Sequence, residues 1–425
     1  MTQTLDALRR GSLDGVRELT LREGLTDFPR EILDLADTLE VLDLSGNALS
    51  DLPHDIGRLK NLKVLFCSNN RFDALPESLG DCAALSQVGF RGCGLSEVPA
   101  NALPPALRWL TLTDNAIATV PKALGERPAL QKLMLAGNRL QTVPDSLADL
   151  AHLELIRLSA NRLIALPGWL VELPRLAWAA FAGNPFDTAE APAVTTAPWS
   201  QLEVGPMLGE GASGQVHQAL WSPPGAAPRE VALKLFKGAM TSDGLPEREM
   251  AACLAAGAHP NLTGALGRLT GHPNDADGLL MALLPSHWRI LAGPPSRETC
   301  SRDVYDPALR LPVEVALRIA REVGAAAAHL HARGLTHGDL YAHNILWDGE
   351  RGAAVLSDFG AAAFMPADLA PGLERLEVLA WGLLLGELLD LCEAPPAAAR
   401  AVQAACTAPD VMSRPRLIEA LDALS

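Results

Sequence analysis

The sequence predicts a two-domain α/β plus α+β chain, a solenoid of short parallel strands followed by a bilobal α+β domain. Three observations carry this. A leucine pattern recurs about every 23 residues through the first half, it stops after Asn184-Pro185, and the second half opens with a glycine-rich loop between two strand-like segments. A chain of 425 residues has length for two or three domains. With 35 basic and 50 acidic side chains the net charge is −15, which argues against nucleic acid or an anionic lipid surface as a charge-driven partner. Apolar residues at 48% and charged ones at 20% exclude a disordered chain. The seven cysteines are scattered and form no Cys-x-x-Cys, so they read as reduced packing residues in a cytoplasmic protein. Charges within Met1–Arg10 argue against a signal peptide, and no apolar stretch has the length of a membrane span.

The first element is the repeat. Leu39-x-x-Leu42-x-Leu44-x-x-Asn47-x-Leu49-x-x-Leu52-Pro53 recurs from Leu62, Leu85, Leu107, Leu130 and Leu153, with weaker copies from Val16 and Leu176, about eight turns in all. Leu-x-Leu alternation suits a short strand with leucines turned inward. Asn47, Asn70, Asn115, Asn138, Asn161 and Asn184 fall where the chain leaves the strand, and their amides can satisfy backbone groups of adjacent turns. Cys93 stands in one Asn slot and Cys67 in one leucine slot. Residues 16–186 resemble the leucine-rich repeat family, with 1–15 as a cap. The intervening column Glu18, Val41, Val64, Gln87, Trp109, Lys132, Leu155 and Trp178, with Phe66 and Met134 beside it, is expected to lie on the open concave face. An exposed apolar row there suggests a surface for a protein partner or for the other half of the chain.

Residues 187–200, rich in Ala, Pro and Thr, read as a linker to a second domain over 201–425. Its first motif is Leu208-Gly209-Glu210-Gly211-Ala212-Ser213-Gly214-Gln215-Val216. A dinucleotide fold would place a helix after such glycines, whereas here a strand follows, and then Val231-Ala232-Leu233-Lys234 on a third strand. Glu249 lies on the next helical segment, and Leu279–Leu284 reads as the last strand and hinge, with Met281 behind a base pocket. Further on come His337-Gly338-Asp339, Asn344 and Ser357-Asp358-Phe359-Gly360. In that order and spacing these residues resemble the protein kinase family, with an N-lobe over 201–284 and a C-lobe over 285–425.

The resemblance implies roles. Lys234 would meet ATP phosphates and pair with Glu249, Asp339 would accept the proton of the attacking hydroxyl, and Asn344 and Asp358 would hold Mg2+. Leu208, Gly209, Gly211, Gly214, Val216, Ala232, Lys234, Met281 and Leu346 would line the ATP site. Three departures stand out. Gly338 replaces the arginine that clasps a phosphorylated activation loop. Tyr341 replaces a lysine near the transferred phosphate, with His343 as a partial substitute. The helix start read at Glu377–Gly382 leaves sixteen residues after Gly360 and no Ala-Pro-Glu. The expected activity is that of a protein kinase, Ser/Thr by family frequency, with the repeats recruiting its partner. The short segment keeps open a small-molecule phosphotransferase of the aminoglycoside or choline kinase type, and Gly338 and Tyr341 keep open a nucleotide-binding pseudokinase scaffold.

Overall fold

A computed structural model of the chain describes residues 3–188, 195–211, 213–238, 240–241 and 243–424. Ala212 of the glycine loop and most of the Ala/Pro/Thr stretch, 189–194, lie outside the described residues. Two compact units result, one of Met1–Leu173 with Asn184–Phe186 and one of Pro174–Gly183 with Asp187–Ser425.

The repeats build a parallel sheet whose strands run in chain order, from Glu18–Thr20 and Val41–Asp43 to Leu155–Arg157 and Trp178–Ala180. The repeat period sets the register, so Val41 faces Val64, Val64 faces Gln87 and Trp109 faces Lys132. Inward leucines such as Leu42, Leu65, Leu110 and Leu133 are buried, and Cys67 fills its leucine slot completely covered. Pro76, Pro121 and Pro144, after Leu75, Val120 and Val143 in the slot of the Leu-Pro pair, precede the 3-10 turns Glu77–Asp81, Lys122–Glu126 and Asp145–Asp149, where a fixed φ and a missing donor are tolerated.

The asparagines do what their position suggests. Asn138 Nδ2 donates to the carbonyls of Leu112 and Leu135 at 2.9 and 3.0 Å, and its Oδ1 accepts from Ile117 N–H at 3.1 Å. Asn70 and Asn161 repeat this set. Cys93 keeps one piece of it, a contact of Sγ with Cys67 O at 3.2 Å. All seven cysteines are buried and none is in a disulfide. Burial pushes the Cys82 and Cys93 thiols up to about 11, which leaves them protonated and inert.

The expected open apolar row is corrected. Val64, Leu155 and Trp178 are buried, as is Gln87, while Val41, Trp109 and Lys132 are half-buried. Strands about 4.8 Å apart press adjacent side chains together, and Lys132 Nζ lies 4.3 Å from the Trp109 ring, whose edge meets Phe66 at 6.1 Å.

In the second unit a six-stranded sheet runs in the order Leu202–Glu210, Gly214–Trp221, Arg229–Phe236, Gly278–Ala282, Ala265–Thr270 and Thr196–Pro198. The edge strand Thr196–Pro198 comes from the stretch read as a linker, and Ala197 is fully buried in the core of this sheet. Behind the sheet lies the helix Pro246–Ala256. The rest is mainly helical with two small sheets, of three and of two strands, and its helices Val313–His331 and Ala370–Asp390 are joined through Trp381 Nε1, which donates to Ala320 O at 2.9 Å. Arg414, 1% exposed, ties the closing segment by donating to the carbonyls of Ala408, Arg375 and Pro174. Among the described residues no helix is long and apolar enough to cross a membrane.

Candidate active site

The glycine loop joins two antiparallel strands, with Glu210 opposite Gln215. Gly211 N–H donates to Gly214 O at 2.9 Å, and Lys237 Nζ holds Gly211 O at 3.0 Å. Gly214 is required sterically, since a Cβ there would stand 2.3 Å from Leu235 O. Leu208, Gly209 and Gly211 are exposed at the loop, whereas Ala232 is buried in the sheet opposite Met281. Val216 pairs with Lys234 across the next ladder.

Lys234 reaches the helix and forms an ion pair with Glu249, both side chains nearly buried. Burial opposes the ammonium, but Glu249 and then Asp358 overcome it and raise its pKa, so Lys234 stays charged. A cation fixed in this way between two carboxylates is a ready counter-charge for phosphate.

The second lobe supplies the other side. Asn344 Nδ2 donates to both the backbone O and Oδ2 of Asp339, each at 2.9 Å, and Asn344 itself is buried. Asp358 sits at φ +60°, a left-handed conformation in which Oδ1 accepts Gly360 N–H at 3.0 Å. Phe359 is buried and its ring lies 5.6 Å from that of His337, whose Nε2 donates to Ser357 O at 3.0 Å. Leu346 is half-buried on the strand Ile345–Trp347.

With Nδ2 committed to Asp339, Asn344 retains an amide oxygen, and together with the Asp358 carboxylate it makes an all-oxygen donor set. Such a set fits Mg2+, a hard cation that takes one or two protein oxygens and completes its shell with phosphates and water. Among the described residues no group of three or more His, Cys, Asp or Glu forms a preformed metal cage.

Three residues were not assigned from sequence. Asp303 Oδ1 accepts from His343 Nδ1 at 2.7 Å and its Oδ2 from His343 N–H at 2.9 Å. Burial disfavours a charged imidazole, yet the bond and charge of Asp303, with Asp339 and Asp358 behind, raise the His343 pKa. Nothing local in sequence marks Asp303, forty residues earlier in an aperiodic stretch. Glu377 Oε1 accepts the N–H groups of both His337 and Gly338 at 2.8 Å, and Oε2 accepts from His331 at 2.7 Å. Burial alone would raise its pKa, but His331 and these donors lower it. Its five-residue spacing to Gly382 was the available signal. The helix start expected at Glu377 is corrected to Ala370, which leaves residues 361–369 between Gly360 and the helix. The third residue is Trp178, placed on the repeat face by its period but packed beside the catalytic loop.

A bilobal fold with a lysine–glutamate pair in one lobe and Asp339, Asn344 and Asp358 in the other defines the protein kinase class. The chain carries leucine-rich repeats followed by a protein kinase domain. Residues 202–370 match the family model described as protein tyrosine and serine/threonine kinase, residues 37–79 that of leucine rich repeats (2 copies), and 105–163 and 128–178 that of leucine rich repeat. The kinase match ends at the first residue of the helix that follows the shortened segment. The chain is similar to human kinase suppressor of Ras 2, 29% identical over 163 residues, 38% of this chain and 15% of that protein. It is also similar to CBL-interacting protein kinase 22 of Oryza sativa subsp. japonica, 30% identical over 202 residues, 42% of this chain and 41% of that one. A solved leucine-rich repeat protein of Leptospira interrogans is 23% identical, covers 46% of this chain and 59% of its own, and superposes with a TM-score of 0.38. The chain thus spans less than half the length of these two curated relatives.

Proposed function

We propose that this protein is an ATP- and Mg2+-dependent protein kinase of the cytoplasm that phosphorylates protein hydroxyls, serine or threonine by preference. The observation that carries the reading is the buried Lys234–Glu249 pair, because a charged lysine is held beside Asp358 at the cost of desolvation, which a nucleotide phosphate would offset. Asn344 and Asp358 would hold Mg2+ together with the phosphates, and the ion would supply charge neutralisation. Asp339, oriented by Asn344, accepts the proton of the attacking hydroxyl as its oxygen bonds to the γ-phosphorus and the bond to the β-phosphate oxygen breaks. His343, whose charged form Asp303 favours against burial, takes the place of the lysine missing at Tyr341. The repeats recruit the protein partner, with Val41, Trp109 and Lys132 as the accessible part of the expected face.

The test is transfer from labelled ATP with Mg2+ onto protein and small-hydroxyl panels. Wild type should label proteins, and Lys234→Ala, Asp339→Ala and Asp358→Ala should lose at least about 100-fold in kcat. Label confined to small molecules would favour a small-molecule phosphotransferase, and none above the variants would remove the enzyme. Trp109→Ser should raise KM for a protein substrate and leave ATP turnover unchanged.

A further inference from the structure

The catalytic loop is flanked by a strand that the repeat period places elsewhere. Within the second unit, Trp178 is 2% exposed and donates its indole N–H to Leu340 O at 3.0 Å, the residue directly after Asp339. Its ring stacks on Tyr341 at 4.1 Å and 10°, and Arg302 covers it at 5.0 Å. The next residue, Ala179, brings its carbonyl against Gly338. A Cβ on Gly338 would lie 2.7 Å from Ala179 O and 2.6 Å from Ala361 O, and its φ of +73° already disfavours any side chain. The arginine usual at this position therefore has no room, and the lysine usual at 341 is replaced by an aromatic that Trp178 can stack on. The strand Trp178–Ala180 bears on both departures, and at Gly338 it shares the steric exclusion with Ala361 O and the positive φ.

We propose that Trp178 is a positioning residue for phosphoryl transfer, and that Trp178–Ala180 forms a permanent brace for the catalytic loop in place of a phosphorylated activation segment. Glu377 holds the backbone of His337 and Gly338, and the brace holds Leu340 and Tyr341, so Asp339 is fixed on both sides without a modification. The residues left between Gly360 and the next helix, 361–369, contain no Ser, Thr or Tyr, so nothing there can be phosphorylated. The brace thus makes the kinase constitutively assembled at this loop. As a statement about catalysis this rests on the kinase reading, whereas the bracing itself does not.

The experiment uses the full chain as wild type, Trp178→Ala and Trp178→Phe, and reads kcat and KM for ATP together with amide hydrogen exchange in 335–345 and, as a reference, 278–282. Removing a stack and a hydrogen bond should lower kcat by about 10- to 100-fold with KM for ATP within about twofold, and speed exchange in 335–345 by a similar factor with 278–282 unchanged. Trp178→Phe, which keeps the stack and loses the donor, should fall between. Both kcat and exchange within about twofold of wild type would overturn the brace. Equal acceleration of exchange in both segments would also overturn it, since Trp178 would then be a core residue without a specific role. If wild type transfers no phosphate yet exchange responds only in 335–345, the kinase reading falls and the brace stands.

Discussion

The repeat unit and the kinase-domain unit secure their backbones by opposite means. In the repeats one residue type does the same work at each turn, so Asn70, Asn138 and Asn161 each bridge to backbone 26 and 21 residues back. In the kinase-domain unit each constraint is unique and spans a different interval, 15 residues for Lys234 to Glu249, 40 for His343 to Asp303 and 162 for Trp178 to Leu340. Redundancy makes the loss of a ladder member local, because each turn contacts only its neighbours. A one-off contact has no deputy, and its loss reaches the site.

Breaking the largest one-off contact should have the largest effect. Glu377→Ala leaves two buried N–H groups and His331 without their acceptor and should lower unfolding free energy by about 3 kcal/mol, with transfer lost, as read by denaturant melts and labelled ATP. Asn138→Ala leaves the Ile117 N–H without its acceptor, while Leu112 O and Leu135 O keep the amides of Asn115 and Asn161, and should cost about 2 kcal/mol while leaving ATP turnover unchanged. A fall in turnover would show that the ladder is not local.

The third test uses pH. Burial lifts the Glu387 carboxyl to about 7 from an ordinary 4.5, with Asp303 adding to the shift and Arg302 and the Tyr305 hydroxyl opposing it. The folded state then holds a proton that the unfolded chain has released, so stability falls as pH rises from 4.5 towards 7. Glu387→Gln should therefore stabilise the kinase-domain unit by roughly 2 kcal/mol at alkaline pH, with no gain below the unfolded pKa. A gain of equal size at all pH values would refute the assignment. The smallest effect concerns the repeats. Cys93→Asn restores the ladder residue and should add about 1 kcal/mol if the turn accepts the amide.

Much of the site was readable because its chemistry is tied to spacing. Asp339 and Asn344, five residues apart, are brought together by a local turn, whereas the pairing of Lys234 with Glu249 is legible only through the family resemblance and is made by packing of the helix Pro246–Ala256 on the sheet. Asp303 was not readable, since its meeting with His343 depends on the path of a long aperiodic segment. The repeat face shows the reverse error. Period alone placed Val64, Leu155 and Trp178 on an open column, but period gives the direction of a side chain and not what covers it.

The sequence by itself determined the two architectures, the repeat register, the asparagine ladder and the order of the candidate site residues, because these follow from local periodicity and motif spacing. Only the tertiary structure decided why Gly338 and Tyr341 depart from the usual residues. Tyr341 stacks on Trp178, and Gly338 is closed in by Ala361 O and by Ala179 O, the latter about 160 positions earlier in the chain, and no local pattern encodes a contact at that distance.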